Sequence, residues 1–278
     1  MKATALITLA ALCLITAAAG AQDPPKTFVE ARGNVIPVPL PPGGPPPRMT
    51  DGHVDFSGVW FGGPTGKANA WSVVADAPTT TTKQDPIPFR PEVAAKLKAM
   101  TRAELELGRA QVTCQPLGVP GMFTDNPYPH QIVMKPNLFI HLIESNNNWR
   151  VVRIPRQHKP KEEQETLYMG DTASRWEGDT LVLETISLDP RAWIQGNGWY
   201  KTEQTKIIER LRRPSLNYLE YQYTVEDPLV LTKPWTSSWR TYSFSGSANN
   251  EDLTENFCTN NENVEQLLKL NEIESKGR

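Results

Sequence analysis

MGDTASRWEGDTLVLETI, residues 169–186, holds two runs of β character, Thr172–Trp176 and Thr180–Ile186, joined by Glu177-Gly178-Asp179. A glycine beside an acidic residue between apolar-rich runs marks a hairpin, because glycine accepts the positive φ that a tight turn needs. On the second arm Leu181, Leu183 and Thr185 share one face, and Val182, Glu184 and Ile186 share the other, since strand side chains alternate.

Outward from this hairpin the same signals repeat. Strand character recurs at His130–Lys135, Leu138–Glu144, Arg150–Ile154, Thr205–Arg213, Tyr218–Val225 and Ser237–Phe244. Turn residues separate these runs, among them Pro136-Asn137, Asn146-Asn147-Asn148 and Pro214-Ser215. Along the Tyr218 run, Leu219, Tyr221, Tyr223 and Val225 alternate with Glu220, Gln222 and Thr224, the pattern of a sheet with one wet side. Phe56–Phe61 reads as the first strand, and its Gly58-x-Trp60 resembles the opening of lipocalin-type barrels, where the Trp packs at the closed end. Strands at short spacing without intervening helices predict a mainly β fold, an antiparallel meander that closes as a lipocalin-like barrel or a sandwich.

Helical pattern is confined to an insert and a tail. Pro91 suits the first turn of a helix, and Val93, Leu97 and Met100 follow at apolar-stripe spacing. Thr101-Arg102-Ala103-Glu104 has capping-box form and restarts the helix toward Gln111. Residues 262–273 form a short amphipathic C-terminal helix. Residues 62–88, low in pattern, read as a long loop.

The N-terminal residues direct the chain to export. Lys2, the apolar run Ala3–Ala18 and Ala19-Gly20-Ala21 have the layout of a signal peptide, residues 1–21, too short to be a comfortable membrane span. Residues 22–50 are a proline-rich linker, with nine prolines between Pro24 and Pro47 that forbid helix and ladder pairing. Residues 51–278 form a single β-rich domain with its helical insert near 91–111. Once the signal and its Cys13 are removed, Cys114 and Cys258 remain, and in an oxidising compartment they suggest one disulfide. Closing so long a loop contributes about 4–5 kcal/mol in the chain-entropy account.

Of 278 residues, 29 are basic and 31 acidic, a balance that offers nothing to nucleic acid or an anionic membrane. No glycine-rich phosphate loop, G-x-S-x-G elbow or clustered His/Cys spacing is present, so no nucleotide cofactor, serine nucleophile or metal is expected. Eight Trp, seven Tyr and eight Phe suit sheet faces and apolar pockets equally, so they do not name a ligand.

One resemblance runs from about Thr50 to about Leu270. It is carried by Asp51-Gly52-His53, Ser57-Gly58-Val59-Trp60, Pro127-Tyr128-Pro129, Met169-Gly170-Asp171, Arg175-Trp176-Glu177-Gly178-Asp179-Thr180-Leu181-Val182, Glu209-Arg210, Thr224-Val225-Glu226-Asp227-Pro228 and Thr232-Lys233-Pro234-Trp235. The chain resembles a family of secreted bacterial proteins of unknown function, abundant in Acidobacteria and some Proteobacteria. The resemblance implies a fold and no activity. Where members often carry a His-Ser or His-Thr pair before the Glu209-Arg210 strand, this chain has Trp199-Tyr200-Lys201-Thr202 and departs from the family at that histidine.

Candidate site residues follow from residue type and face. His130, behind Tyr128-Pro129 and near Asp125, suits proton transfer near neutral pH at a barrel mouth, or a plain role at strand entry. His141 shares a face with Phe139 and Ile143, as a core or cavity-lining residue. His158, among lysines, reads as exposed. Asp171 and Arg175 share a face on the first hairpin arm, with Glu184 on the second, either inside the barrel as an anchor for a ligand or outside as ion pairs. If Trp176 packs outward under a covering helix, Arg175 and Asp171 point into the cavity. Glu177 and Asp179 read as turn residues and no more.

These features point first to a periplasmic or secreted barrel that binds a small apolar or aromatic molecule, with Tyr128, His141, Glu184, Tyr221 and Tyr223 lining its site. The alternative is a cofactor-free lyase, isomerase or hydrolase on the same barrel, with His130, Asp171 and Arg175 catalytic. A structural module of the cell envelope is the third reading. After signal cleavage no integral membrane segment is expected. N-terminal sequencing of the exported protein should begin at Gln22, and a chain beginning at Met1 in the membrane fraction would refute the export reading.

Overall fold

Inward and outward positions alternate along almost every strand, and the apolar inward set draws them into one curved antiparallel sheet. The computed structural model describes residues 27–29, 35–37, 42–61, 85–124, 128–244, 253, 255–259 and 261–276. The signal-peptide reading, Asp125 and most of the loop read at 62–88 lie outside these residues. The expectation that the proline-rich arm forms no ladder is corrected: β1 (Thr27–Val29) and β2 (Val35–Pro37) pair antiparallel as a ribbon of their own, in two runs whose one proline, Pro37, stands at the end of the pairing.

The main sheet contains β3 (Gly58–Phe61), β4 (His130–Lys135), β5 (Leu138–Ile143), β6 (Asn148–Arg153), β7 (Asp171–Glu177), β8 (Thr180–Ile186), β9 (Lys206–Ser215), β10 (Tyr218–Glu226), β11 (Trp235–Thr236) and β12 (Arg240–Phe244). Its order is β6-β5-β4-β3-β12-β10-β9-β8-β7, with β11 added on β10. The first strand, β3, therefore pairs with the last, β12, and the chain wraps into a nearly closed barrel. The hairpin that opened the reading pairs Asp171 with Ile186 and Glu177 with Thr180. Gly178 takes φ +61° in its turn, a conformation that side chains resist.

One seam remains, between β6 and β7. At one end it is stitched by two backbone bonds, Arg156 N–H to the Ser174 carbonyl at 3.1 Å and Ser174 N–H to the Arg156 carbonyl at 2.8 Å. That same end is plugged. Trp60 is buried there, and its indole N–H donates to the Phe56 carbonyl at 2.9 Å. The Arg213 guanidinium lies 4.7 Å over the Trp60 ring and donates to the carbonyls of Asp55 and Leu216. Trp176 turns inward and stacks on His53, ring centroids 4.5 Å apart.

The insert forms α1 (Pro91–Ala99), α2 (Arg102–Leu107) and α3 (Ala110–Thr113), with a single further turn, α4 (Gly121–Thr124). The capping box at Thr101 is complete: its hydroxyl accepts from Glu104 N–H at 3.0 Å while the Glu104 carboxylate accepts from Thr101 N–H at 2.6 Å. The C-terminal helix α5 (Asn261–Lys276) packs against α2 and α3. Among the described residues no helix is long and apolar enough to cross a membrane.

The linker's last residues are docked on the barrel. Gly44 and Pro42 carbonyls accept from Leu216 and Asn217 N–H, and Arg48 grips Asp179 with two bonds of 2.9 and 2.8 Å. Asp179 is thus more than a turn residue. The Sγ atoms of Cys114 and Cys258 lie 2.11 Å apart, at disulfide distance. Thiol counting on the unfolded, unreduced exported protein should find none free, and two titratable thiols would refute the pairing.

Candidate functional site

Most of the inward face of the barrel is apolar. At one place five strands and one loop bring polar side chains together: His130 from β4, His141 from β5, Arg150 from β6, Glu209 and Tyr221 from β9 and β10, and Lys201 from the segment before β9. All are buried. Register explains part of the cluster, since His141 and Arg150 are direct cross-strand partners.

Glu209 is the hub. Its Oε1 accepts from the Tyr221 hydroxyl at 2.9 Å, and its Oε2 lies 2.7 Å from Arg150 Nη2. That second contact is close but not aligned as a hydrogen bond, so it is an ion pair by distance alone. Arg150 Nε and Nη1, and Lys201 Nζ, have no protein hydrogen-bond partner. Burial pushes the Lys201 ammonium down to about 7, against the opposing pull of Asp189 and Glu209. Burial likewise pushes the Tyr221 hydroxyl well up, with the Glu209 carboxylate adding to it.

The two histidines form a pair. His130 Nδ1 and His141 Nε2 are 2.9 Å apart, so one ring donates and the other accepts. Phe123, carried into the barrel by α4, stacks on His141 at 4.1 Å, on Tyr221 at 4.3 Å and on His130 at 5.4 Å. Its carbonyl accepts from the Tyr242 hydroxyl. Burial holds both imidazoles well below the usual histidine value, and His141 is lowered further by His130 and the Arg150 charge. The pair is therefore neutral near pH 7. Among the described residues no group of three or more His, Cys, Asp or Glu is placed to hold a metal.

Where the seam is not stitched, it opens as a cleft of about 500 Å³. One wall is Asn146–Val151 at the start of β6, and the other is Leu167–Gly170 with Thr172. Pro116 and Arg156 complete it, and Arg150 links the cleft to the interior cluster. Three of the most exposed apolar side chains of the barrel line it: Trp149 at 63%, Val151 at 49% and Leu167 at 48% exposed.

The residues expected to form one polar centre lie in three places. His130 faces the interior. Asp171 lies on the outer side of β7, where it accepts from Arg156, from His158 at 2.9 Å and from Lys159 N–H at 3.0 Å. Arg175 is 51% exposed and pairs with Glu177, also solvent-facing. The expectation that Arg175 and Asp171 point into the cavity is corrected: Trp176 takes the inward position, because burying its ring gains more than burying a guanidinium would. Glu184 is also outside, 3.4 Å from His158 Nε2, so His158 is half-buried between two carboxylates rather than free on the surface. His141, Tyr221 and Tyr223 line the interior, where the Tyr223 hydroxyl accepts from Gln195 at 2.9 Å. Tyr128 sits half-buried just before β4.

Arg150, Lys201 and Glu209 were absent from the sequence-derived set. Glu209 breaks an apolar alternation between Ile207 and Leu211, and Arg150 stands between inward Asn148 and Val152, so both left a readable signal. Lys201 lies in no periodic element and left none.

Fold and site define an antiparallel, nearly closed β-barrel with a polar cluster in its interior and a seam between β6 and β7. Compared with family models, curated proteins and solved structures, the chain matches none.

Arg150→Ala should cost about 3–5 kcal/mol in denaturant melts, because it strands the Glu209 carboxylate, whereas Arg175→Ala should stay within about 0.5 kcal/mol. Stability should also rise with pH in two windows. Below the ordinary histidine value of 6.5 the unfolded chain takes up protons that His130 and His141 refuse, so stability falls as pH falls. Between about 7 and the ordinary lysine value of 10.5 the unfolded chain holds a proton that buried Lys201 has lost, so stability climbs across that range. Melts of Lys201→Met should lose the upper climb relative to the native protein and keep the lower one.

Proposed function

We propose that this protein is an exported barrel that binds a small apolar or aromatic molecule, taken in at the β6–β7 seam. The observation that carries this reading is the cleft itself, an opening edged by Trp149, Val151 and Leu167 that leads to buried Arg150. Large apolar side chains left in water around one concavity mark a binding surface more often than chance exposure does. The stitched, plugged end of the barrel leaves the seam as the natural entry. The closely packed Cys114 and Cys258 agree with an oxidising compartment, periplasmic or extracellular.

A second reading, a cofactor-free lyase, isomerase or hydrolase, is favoured by one observation: Lys201, Glu209, Tyr221 and the histidine pair converge inside the barrel. An amine that titrates near neutrality can move protons at ordinary pH. The original polar centre of His130, Asp171 and Arg175 does not support it, because those groups are dispersed.

Solvent extraction of the protein purified from its own compartment, followed by mass spectrometry, should release a bound apolar or aromatic compound. Added back, that compound should change the fluorescence of the native protein, and Trp149→Ser should weaken its binding about tenfold, roughly 1.4 kcal/mol. A ligand-free extract together with no binding from an apolar and aromatic panel would refute the binding reading. Chemical turnover of the extracted compound would select the enzyme.

A further inference from the structure

β6 ends the order of the sheet, so one of its two edges pairs with no strand. Its neighbours fix where its backbone groups point. Ile154 N–H bonds to the Asn137 carbonyl at 3.0 Å on the β5 side, while the Arg153 carbonyl accepts from the Ser174 hydroxyl on the β7 side. Alternate residues of an antiparallel ladder point the same way, so Trp149 and Val151 aim their N–H and C=O groups into the seam. Among the described residues no backbone bond reaches those groups from β7 or from the Leu167–Gly170 wall. A row of open donors and acceptors on a strand edge is a template for another strand.

The direction of that strand follows from the sheet. Each strand from β6 round to β7 is antiparallel to the next, and the order holds an odd number of them, so β6 and β7 run parallel. A strand laid antiparallel on β6 is therefore antiparallel to β7 as well, like every other pair here. From Asn148 to Val151 the edge carries no proline and no bulge, and its outward side chains, Trp149 and Val151, are apolar and exposed. Pairing must stop at Val151, because Ser174 already holds the Arg153 carbonyl. Beyond that point the outward residue is Arg153 itself. It is exposed and, among the described residues, has no ion-pair partner, unlike Arg156 with Asp171 or Arg175 with Glu177.

We infer that the β6 edge of the cleft receives an extended peptide from another protein as an added antiparallel strand, with the outward pattern acid-x-apolar-x-apolar. Running antiparallel, the peptide meets Arg153, Val151 and Trp149 in that order from its N-terminal side. Backbone bonds to Val151 and Trp149 supply affinity, and alternate side chains supply selectivity. A carboxylate beside Arg153 is a favourable cross-strand neighbour, whereas a lysine there is repelled. A second copy of this chain lacks that complement, since its own Asn148–Arg153 contains no acidic residue. The inference goes beyond the small-molecule reading: the peptide lies along the rim of the cleft, and the small molecule passes through it.

The test is fluorescence polarisation with the dye-labelled peptide GESVSFG on the full exported chain. The same peptide N-methylated at its valine and phenylalanine, whose N–H groups would meet the Val151 and Trp149 carbonyls, should bind at least about ten times more weakly. GKSVSFG should bind about three times more weakly than GESVSFG at low salt, and Arg153→Glu, an exposed change, should reverse that preference. Val151→Pro removes one seam-facing donor and leaves the β5 ladder intact, so the protein should fold by circular dichroism and lose about tenfold in peptide affinity. Equal binding of the parent and N-methylated peptides, or a charge preference that Arg153→Glu leaves unchanged, would overturn the inference. So would no binding at about 1 mM peptide. A concentration-dependent dimer of the native protein that Val151→Pro abolishes would overturn it in favour of a second copy on the edge. The extraction assay for a small molecule is read independently of all these results.

Discussion

The carboxylate of Glu209 and the guanidinium of Arg150 meet at 2.7 Å across the inside of the barrel, one from β9 and the other from β6. β6 is an edge strand of the seam, and β9 lies on the far side of it, two strands beyond β7. The ion pair therefore spans a gap that no backbone ladder crosses. Two charges taken out of water cost several kcal/mol each, and their attraction offsets this only while both remain in place. The barrel is consequently committed to a fixed separation of its two edges, which keeps the cleft open at one end while the Arg156–Ser174 bonds close the other.

Around that pair the packing is aromatic rather than aliphatic. Phe123 lies against His130, His141 and Tyr221, and its carbonyl receives the Tyr242 hydroxyl, so one inserted residue touches strands β4, β5, β10 and β12. Rings supply flat apolar walls while their heteroatoms form a polar floor. Neutral imidazoles suit this place, because two further charges beside Arg150 would be repelled. The floor thus keeps one strong anion, Glu209, among groups able to donate.

The ends of the chain are held by unrelated means. Arg48 reaches the hairpin turn at Asp179 from the proline-rich arm, an exposed pair of small energetic value that still fixes where the arm runs. At the other terminus Cys258 meets Cys114, and α5 covers α2 and α3.

Local signals were sufficient for the elements. The Gly178 turn, the Tyr218 alternation, the Thr101 capping box and the pairing of two remaining cysteines are properties of neighbours in sequence, or of composition, and each is legible there. Alternation even placed His141 beside Phe139 and Ile143, and it put Arg175 and Trp176 on opposite faces of β7. It could not say which face was inside, because a period of two is symmetric between the two sides of a sheet. Only the closed barrel broke that symmetry, by burying Trp176 against His53 and Phe56 and leaving Arg175 in water. The same closure brought Arg150 to Lys201 and Glu209, which follow it by more than 50 residues in the chain. No spacing rule joins residues so distant, since their meeting depends on strand order and on the seam between β6 and β7, which are decided by how the whole sheet curls around its apolar face.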